Sequence, residues 1–191
     1  MSRPTRRVAR AAAVALVAGL ALGCGSSSAP EVAPARVDTK LAPAAVGTDL
    51  KLYENRKKAT VAAFAQAGER TLVSDGRIWE IRRADRLIGA LQITTVLPTV
   101  DLTKEETRAT IVHQIIPGTL TRIRIGDVEV YTAVVNDKAV FLWFGADLYE
   151  VLQIKDSRLA GAYDTVATAV IEHQATVPAW KPLPPDIVKQ K

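Results

Sequence analysis

One cysteine, two histidines and a scatter of carboxylates are what these 191 residues offer to covalent, metal or acid–base chemistry. His113 and His173 lack the close helical spacing that lets two imidazoles hold one ion, so no metal is expected. No glycine-rich phosphate loop or acidic calcium loop occurs, so no cofactor is expected either. Ser74 sits in a Ser74–Asp75–Gly76 turn signal and Ser157 before a helix, neither framed as a nucleophile elbow. Glu105 and Glu106 are adjacent, and neighbours on a helix point about 100° apart, which suits a dipole-matched helix start better than a two-carboxylate grip. Glu150 lies in an apolar run. The length of the Gly145–Asp147 loop decides which way it faces, and a core-facing carboxyl would need a partner or a raised pKa.

Cys24 has a more specific context. Arg3, Arg6, Arg7 and Arg10 precede an uncharged run from Ala11 to Gly23. A spanning helix needs about 20 apolar residues, and this run is shorter, so it reads as the charged, apolar and small-residue regions of an export signal. Leu20–Cys24 resembles a bacterial lipobox, with Ala21 at the place where an aliphatic residue is usual. That resemblance implies cleavage before Cys24 and acylation of its thiol, and two or more acyl chains would anchor the chain stably. The alternative is an ordinary secreted protein, which would carry one unpaired exposed thiol. Thr5, Arg6 and Arg7 also resemble part of a twin-arginine signal, but Val8–Arg10 lacks the aromatic and leucine, so the Sec route is expected.

With residues 1–23 goes most of the charge. The whole chain carries +5, and loss of the four leader arginines, which no acid accompanies, leaves +1. Nucleic-acid binding wants a basic stripe that the remainder lacks. Arg82, Arg83, Arg86, Arg122 and Arg124 read as solvated strand-edge charges. The organisation expected is a cleaved signal at 1–23, a Ser/Ala/Pro tether at 24–45, one domain at 46–177 and a proline-rich tail at 178–191.

Within that domain Thr48–Ala67 reads as a helix on the spacing of Leu50, Tyr53, Val61 and Phe64, with Gly68 as its stop. Ile78–Arg83 and Leu87–Val96 read as a hairpin. Thr103 and Glu106 match a capping box for a second helix, with Ile111, Val112 and Ile115 inward and Pro117–Gly118 as its end. His113, beside Ala109 and Ile116, reads as half-buried packing. Leu120–Ile154 reads as a four-strand meander with turns at Gly126–Asp127 and Asn136–Lys138. A closing helix runs from a cap at Asp156 or Ser157 to Ala175, with Leu159, Tyr163, Val166, Val170 and His173 on one stripe. The fold class expected is α+β, a largely antiparallel sheet of about six strands with helices packed on it.

A two-residue first turn pairs Ile125 with Val128 and Ile123 with Val130. A three-residue second loop would pair Val130 with Phe144, Thr132 with Leu142 and Val134 with Val140, making one face uniformly apolar. The other face would then bring Tyr131, Phe141 and Trp143 together, with the Tyr131 and Trp143 rings opposite each other. Either a helix covers that trio, or it lines a binding surface.

The leader and the Gly25–Ser28 tether resemble the lipoproteins of high-GC bacteria. The element order, with its Val140–Ile154 passage running into a helix, is similar to the Mog1/PsbP-like group, which includes envelope lipoproteins. These resemblances imply a location outside the cytoplasm, lipid-anchored to the cell membrane or outer membrane, and transfer no catalytic residue. The expected role is a non-enzymatic binding or accessory module, with Tyr131, Phe141 and Trp143 meeting a small apolar ligand or an envelope protein. The competing expectations are an enzyme acting on glycan or lipid through carboxylates such as Glu150, and a structural spacer contacting another envelope protein.

Overall fold

A computed structural model describes residues 35–56, 72–156, 159 and 162–183. The fold is that of the unit Val32–Lys191. Among the described residues its frame is one antiparallel sheet of eight strands: β1 (Ala45–Val46), β2 (Leu50–Glu54), β3 (Val73–Arg83), β4 (Arg86–Val96), β5 (Thr121–Ile125), β6 (Val128–Val135), β7 (Lys138–Phe144) and β8 (Leu148–Ile154). In space the order is β1-β2-β3-β4-β8-β7-β6-β5, so two meanders meet where β4 pairs with β8. Helix α1 (Glu105–Ile115) lies in the connection from β4 to the far edge, and α2 (Tyr163–Ala175) follows β8.

The α+β class stands, with eight strands in place of six. Leu50–Glu54 is a strand where a helix was expected: Leu50 and Leu52 are buried while Lys51 and Tyr53 face out, a two-residue alternation that outweighs the three-residue spacing of Leu50 and Tyr53. The rest of that expected helix, from residue 57 onward, lies outside the described residues. Ser74–Gly76, expected as a turn, is extended within β3 beside a register irregularity between Val73 and Asp75.

Both faces of the sheet carry a core. On one, Trp79, Leu91, Ile93, Phe141, Trp143 and Leu152 pack under Val166, Ala167, Val170 and Ile171 of α2 and under Val37, Leu41 and Val46. The packed chain therefore begins within the stretch expected as tether. Its attachment is polar as well: Val37 N donates to Asp75 Oδ2 at 3.0 Å, and Ser74 Oγ donates to the Ala35 carbonyl at 2.9 Å. On the other face Tyr131, Val140, Leu142, Phe144, Tyr149 and Val151 pack with Leu102, Ile111, Val112 and Ile116.

Both helices start later than expected. Thr103 makes no capping box; its N–H and hydroxyl both donate to Asp101 Oδ1, holding that carboxyl below its ordinary range, and α1 begins after an uncapped Lys104. Glu105 and Glu106 occupy its first turn, as the macrodipole favours. Asp156 is taken as counter-ion by Arg83, whose Nη1 lies 2.6 Å from Oδ2, and α2 begins at Tyr163. Trp180 is buried over the loop between β7 and β8, where Gly145 bridges to Pro182.

Candidate functional site

The turn at Asn136–Asp137 decides which residues can form a site together. Both have positive φ, the type I′ geometry whose twist matches a hairpin, so the loop takes two residues and Val135 pairs with Lys138. The expected three-residue loop is thereby corrected, and the pairing slips by one: Val130 meets Trp143, Tyr131 meets Leu142 and Thr132 meets Phe141. A one-residue slip exchanges faces. Phe141 and Trp143 lie beneath α2, Tyr131 lies on the α1 side, and the three form no common surface. All three are buried, Trp143 completely.

The β7–β8 register fixes Glu150. It pairs with Trp143 on one side and Ile93 on the other, and so faces the α2 core with no exposed surface. Gln174 reaches down from α2, its Nε2 donating to Glu150 Oε2 and its Oε1 accepting from Trp143 Nε1 at 3.2 Å. Among the described residues Glu150 Oε1 has no hydrogen-bond partner. Burial pushes this carboxyl up to about 8, against smaller opposing effects of Gln174 and Trp143, so it is neutral at pH 7. A sealed neutral acid can tie α2 to the sheet, and it presents no carboxylate to a substrate.

The other side of the sheet ends in an open edge. Gly126 has φ +57° at the first central position of the β5–β6 turn, the place where a type II′ turn requires glycine. The two-residue loop makes Ile125 and Val128 the closing hydrogen-bonded pair. Alternation along an antiparallel ladder then turns the backbone N–H and C=O of Thr121, Ile123 and Ile125 toward β6 and those of Arg122 and Arg124 away from it. Among the described residues no strand pairs with that outer edge.

The side chains alternate too. Ile123 and Ile125 pack on the α2-side core, while Arg122 and Arg124 share the α1 face with their cross-strand partners Tyr131 and Glu129. The Arg122 guanidinium lies 5.1 Å from the Tyr131 ring centroid, and Nη1 is 3.7 Å from Glu129 Oε1. Tyr131 donates its hydroxyl to Glu129 Oε2 at 3.0 Å and meets the Phe144 ring edge-on. Desolvation, then the Glu129 charge, raises the Tyr131 phenol, and Arg122 acts against both.

A cavity of about 140 Å³ separates this edge from α1, lined by Glu105, Ala109, Val112, His113, Leu120, Arg122 and Tyr131. His113 is exposed at its rim, where half-buried packing was expected. His173 is engaged elsewhere, its Nε2 lying 2.9 Å from the Lys40 carbonyl. Arg108 was missed in the sequence. It is 5 % exposed, and its Nη1 donates to the Leu102 and Thr103 carbonyls at 2.8 Å each, fixing the entry to α1. Its place on the buried side of α1 three residues before Ile111 was the available signal, masked by its charge.

Among the described residues no group of three or more metal-ligating side chains occurs, and no helix is long and apolar enough to cross a membrane. Comparison with family models, curated proteins and solved structures finds no match.

Proposed function

We propose that this chain is a lipid-anchored protein of the bacterial envelope whose folded domain is a non-enzymatic binding module, engaging a partner protein along the edge of β5. The outward backbone groups of Arg122 and Arg124, beside the cavity under α1, carry this reading. A strand edge with unsatisfied amides and carbonyls binds extended chain through the main chain, and an adjoining hollow selects a side chain. The residues from Arg3 to Cys24 support the anchor, because two or more acyl chains on one thiol hold a domain at a membrane without a spanning helix.

Two measurements test the two halves of the proposal. The intact mass of the chain extracted from its host membranes should show loss of residues 1–23 and a diacylglyceryl adduct on Cys24, and Cys24→Ala should move the chain to the aqueous phase of a detergent partition. An unmodified Cys24 would refute the anchor. For the binding half, a photo-crosslinking residue at position 124 in living cells should give a discrete adduct that the same residue at position 164, on the exposed side of α2, does not. Equal labelling from both positions would refute the edge.

A further inference from the structure

Resting on that edge reading, we infer that the occupant of β5 is an antiparallel extended segment with acidic residues opposite Arg124 and Arg122 and an aliphatic residue entering the cavity beside Leu120. Residues directly opposite each other across a ladder share a face. A segment hydrogen-bonded to the outward groups of Arg122 and Arg124 must therefore place its own paired side chains on the α1 face, among those guanidiniums. Arg124 makes no ion pair among the described residues, and Arg122 has only the 3.7 Å approach to Glu129. In chain order the complementary pattern is acidic, any, acidic, any, aliphatic. The intervening residues fall on the opposite face, across from Ile123 and Thr121, where a β-branched side chain suits the half-buried surface at Ile123.

The same geometry opposes the simplest competitor, β5 of a second copy pairing edge to edge. Outward residues can pair only with outward residues, so every hydrogen-bonded antiparallel match of β5 with itself sets arginine against arginine. It pairs Arg122 with Arg124, or one of them with its own copy. Like charges directly opposite are destabilising. The arginines thus reject self-pairing and a basic strand while admitting an acidic one, which is how specificity is obtained from one attraction and one repulsion.

The test uses the full chain in detergent with the heptapeptide acetyl-TEVEVLT-amide, read by residue-resolved amide hydrogen exchange and by anisotropy of a labelled copy. Binding should slow exchange at Arg122 and Arg124 and leave Ile123, already bonded to β6, unchanged. Replacing both peptide glutamates by lysine, or N-methylating them to remove the donors while keeping the charge, should abolish protection. Arg124→Glu should weaken the glutamate peptide roughly tenfold and reverse its order with the lysine peptide. If the lysine peptide protects Arg122 and Arg124 better than the glutamate peptide, the acidic class is overturned and the edge reading stands. If no peptide protects them at about 1 mM, a weak-affinity limit, both fall. Slow exchange at Arg122 and Arg124 in the free chain would also overturn the inference, in favour of a second copy if it grows with protein concentration and of the chain's own residues if it does not.

Discussion

Tyr131 and Trp143 belong to adjacent strands, and the difference between their surroundings is the main lesson of this fold. Trp143 lies under α2 in a closed network, bonded to Gln174, which bonds Glu150. Tyr131 lies on the reverse of the same sheet, one strand from an edge where a guanidinium covers its ring and backbone groups point outward. One region spends polar groups on tying a helix down. The other leaves them available.

Removing Trp143 should expose the contrast most strongly. Trp143→Ala deletes a fully buried indole and the hydrogen bond to Gln174. A loss of about 3–5 kcal/mol in urea unfolding is expected. A loss below about 1 kcal/mol, the cost of an ordinary surface change, would mean that the network is not closed.

The next effect depends on pH. Glu150 keeps its proton in the folded chain up to about 8, whereas the unfolded chain releases it near about 4.3. Between these values the folded state holds more protons. Stability should therefore fall by roughly 1.4 kcal/mol per pH unit as pH rises through that window, with no contribution below it. Glu150→Gln should flatten this slope, measured as unfolding midpoints from pH 5 to 8; an unchanged slope would assign it to other groups.

A smaller loss is expected at the seam shared by both regions. A Cβ on Gly89 would overlap the Gln153 carbonyl oxygen. Gly89→Ala should cost about 1–3 kcal/mol through separation of β4 from β8, seen as faster amide exchange along that pair. At the edge, Arg122→Ala removes the cation over Tyr131 and should cost only about 0.5–1 kcal/mol. It should also raise the phenol further, since Arg122 opposes the rise. An ultraviolet titration would detect that shift, and a downward shift would contradict the contact.

Periodicity was enough to read the β3–β4 hairpin, the four strands from β5 to β8 and α2, because each has a long apolar repeat and strong turn residues. The register beyond β6 was not readable, because Asn136–Asp137–Lys138 fits a two-residue or a three-residue loop and only backbone φ tells them apart. That ambiguity misplaced the aromatic trio, and the undetermined length of the Gly145–Asp147 loop left the face of Glu150 open. Leu50–Glu54 failed differently: in a five-residue segment, two apolar residues three apart satisfy a helical template while the true alternation has too few repeats to show. The edge site was legible only in part. Arg122 and Arg124 were visible as an alternating pair, but the open backbone between them depends on where β5 stands in the sheet, which no local pattern encodes.

The strand order also sets a timetable. β8, near the end of the described chain, occupies the middle of the sheet between β4 and β7. A chain emerging from its N-terminus completes β1–β4 and then β5–β7 while the inner borders of both groups, β4 and β7, still lack a neighbour. Late arrival of a central strand prolongs exposure of apolar edges and makes folding slow relative to a protein of local contacts. The two halves wait for Leu148–Ile154, so a holding chaperone would matter most in that interval, and truncation ahead of Leu148 would leave two sticky fragments in place of a smaller domain.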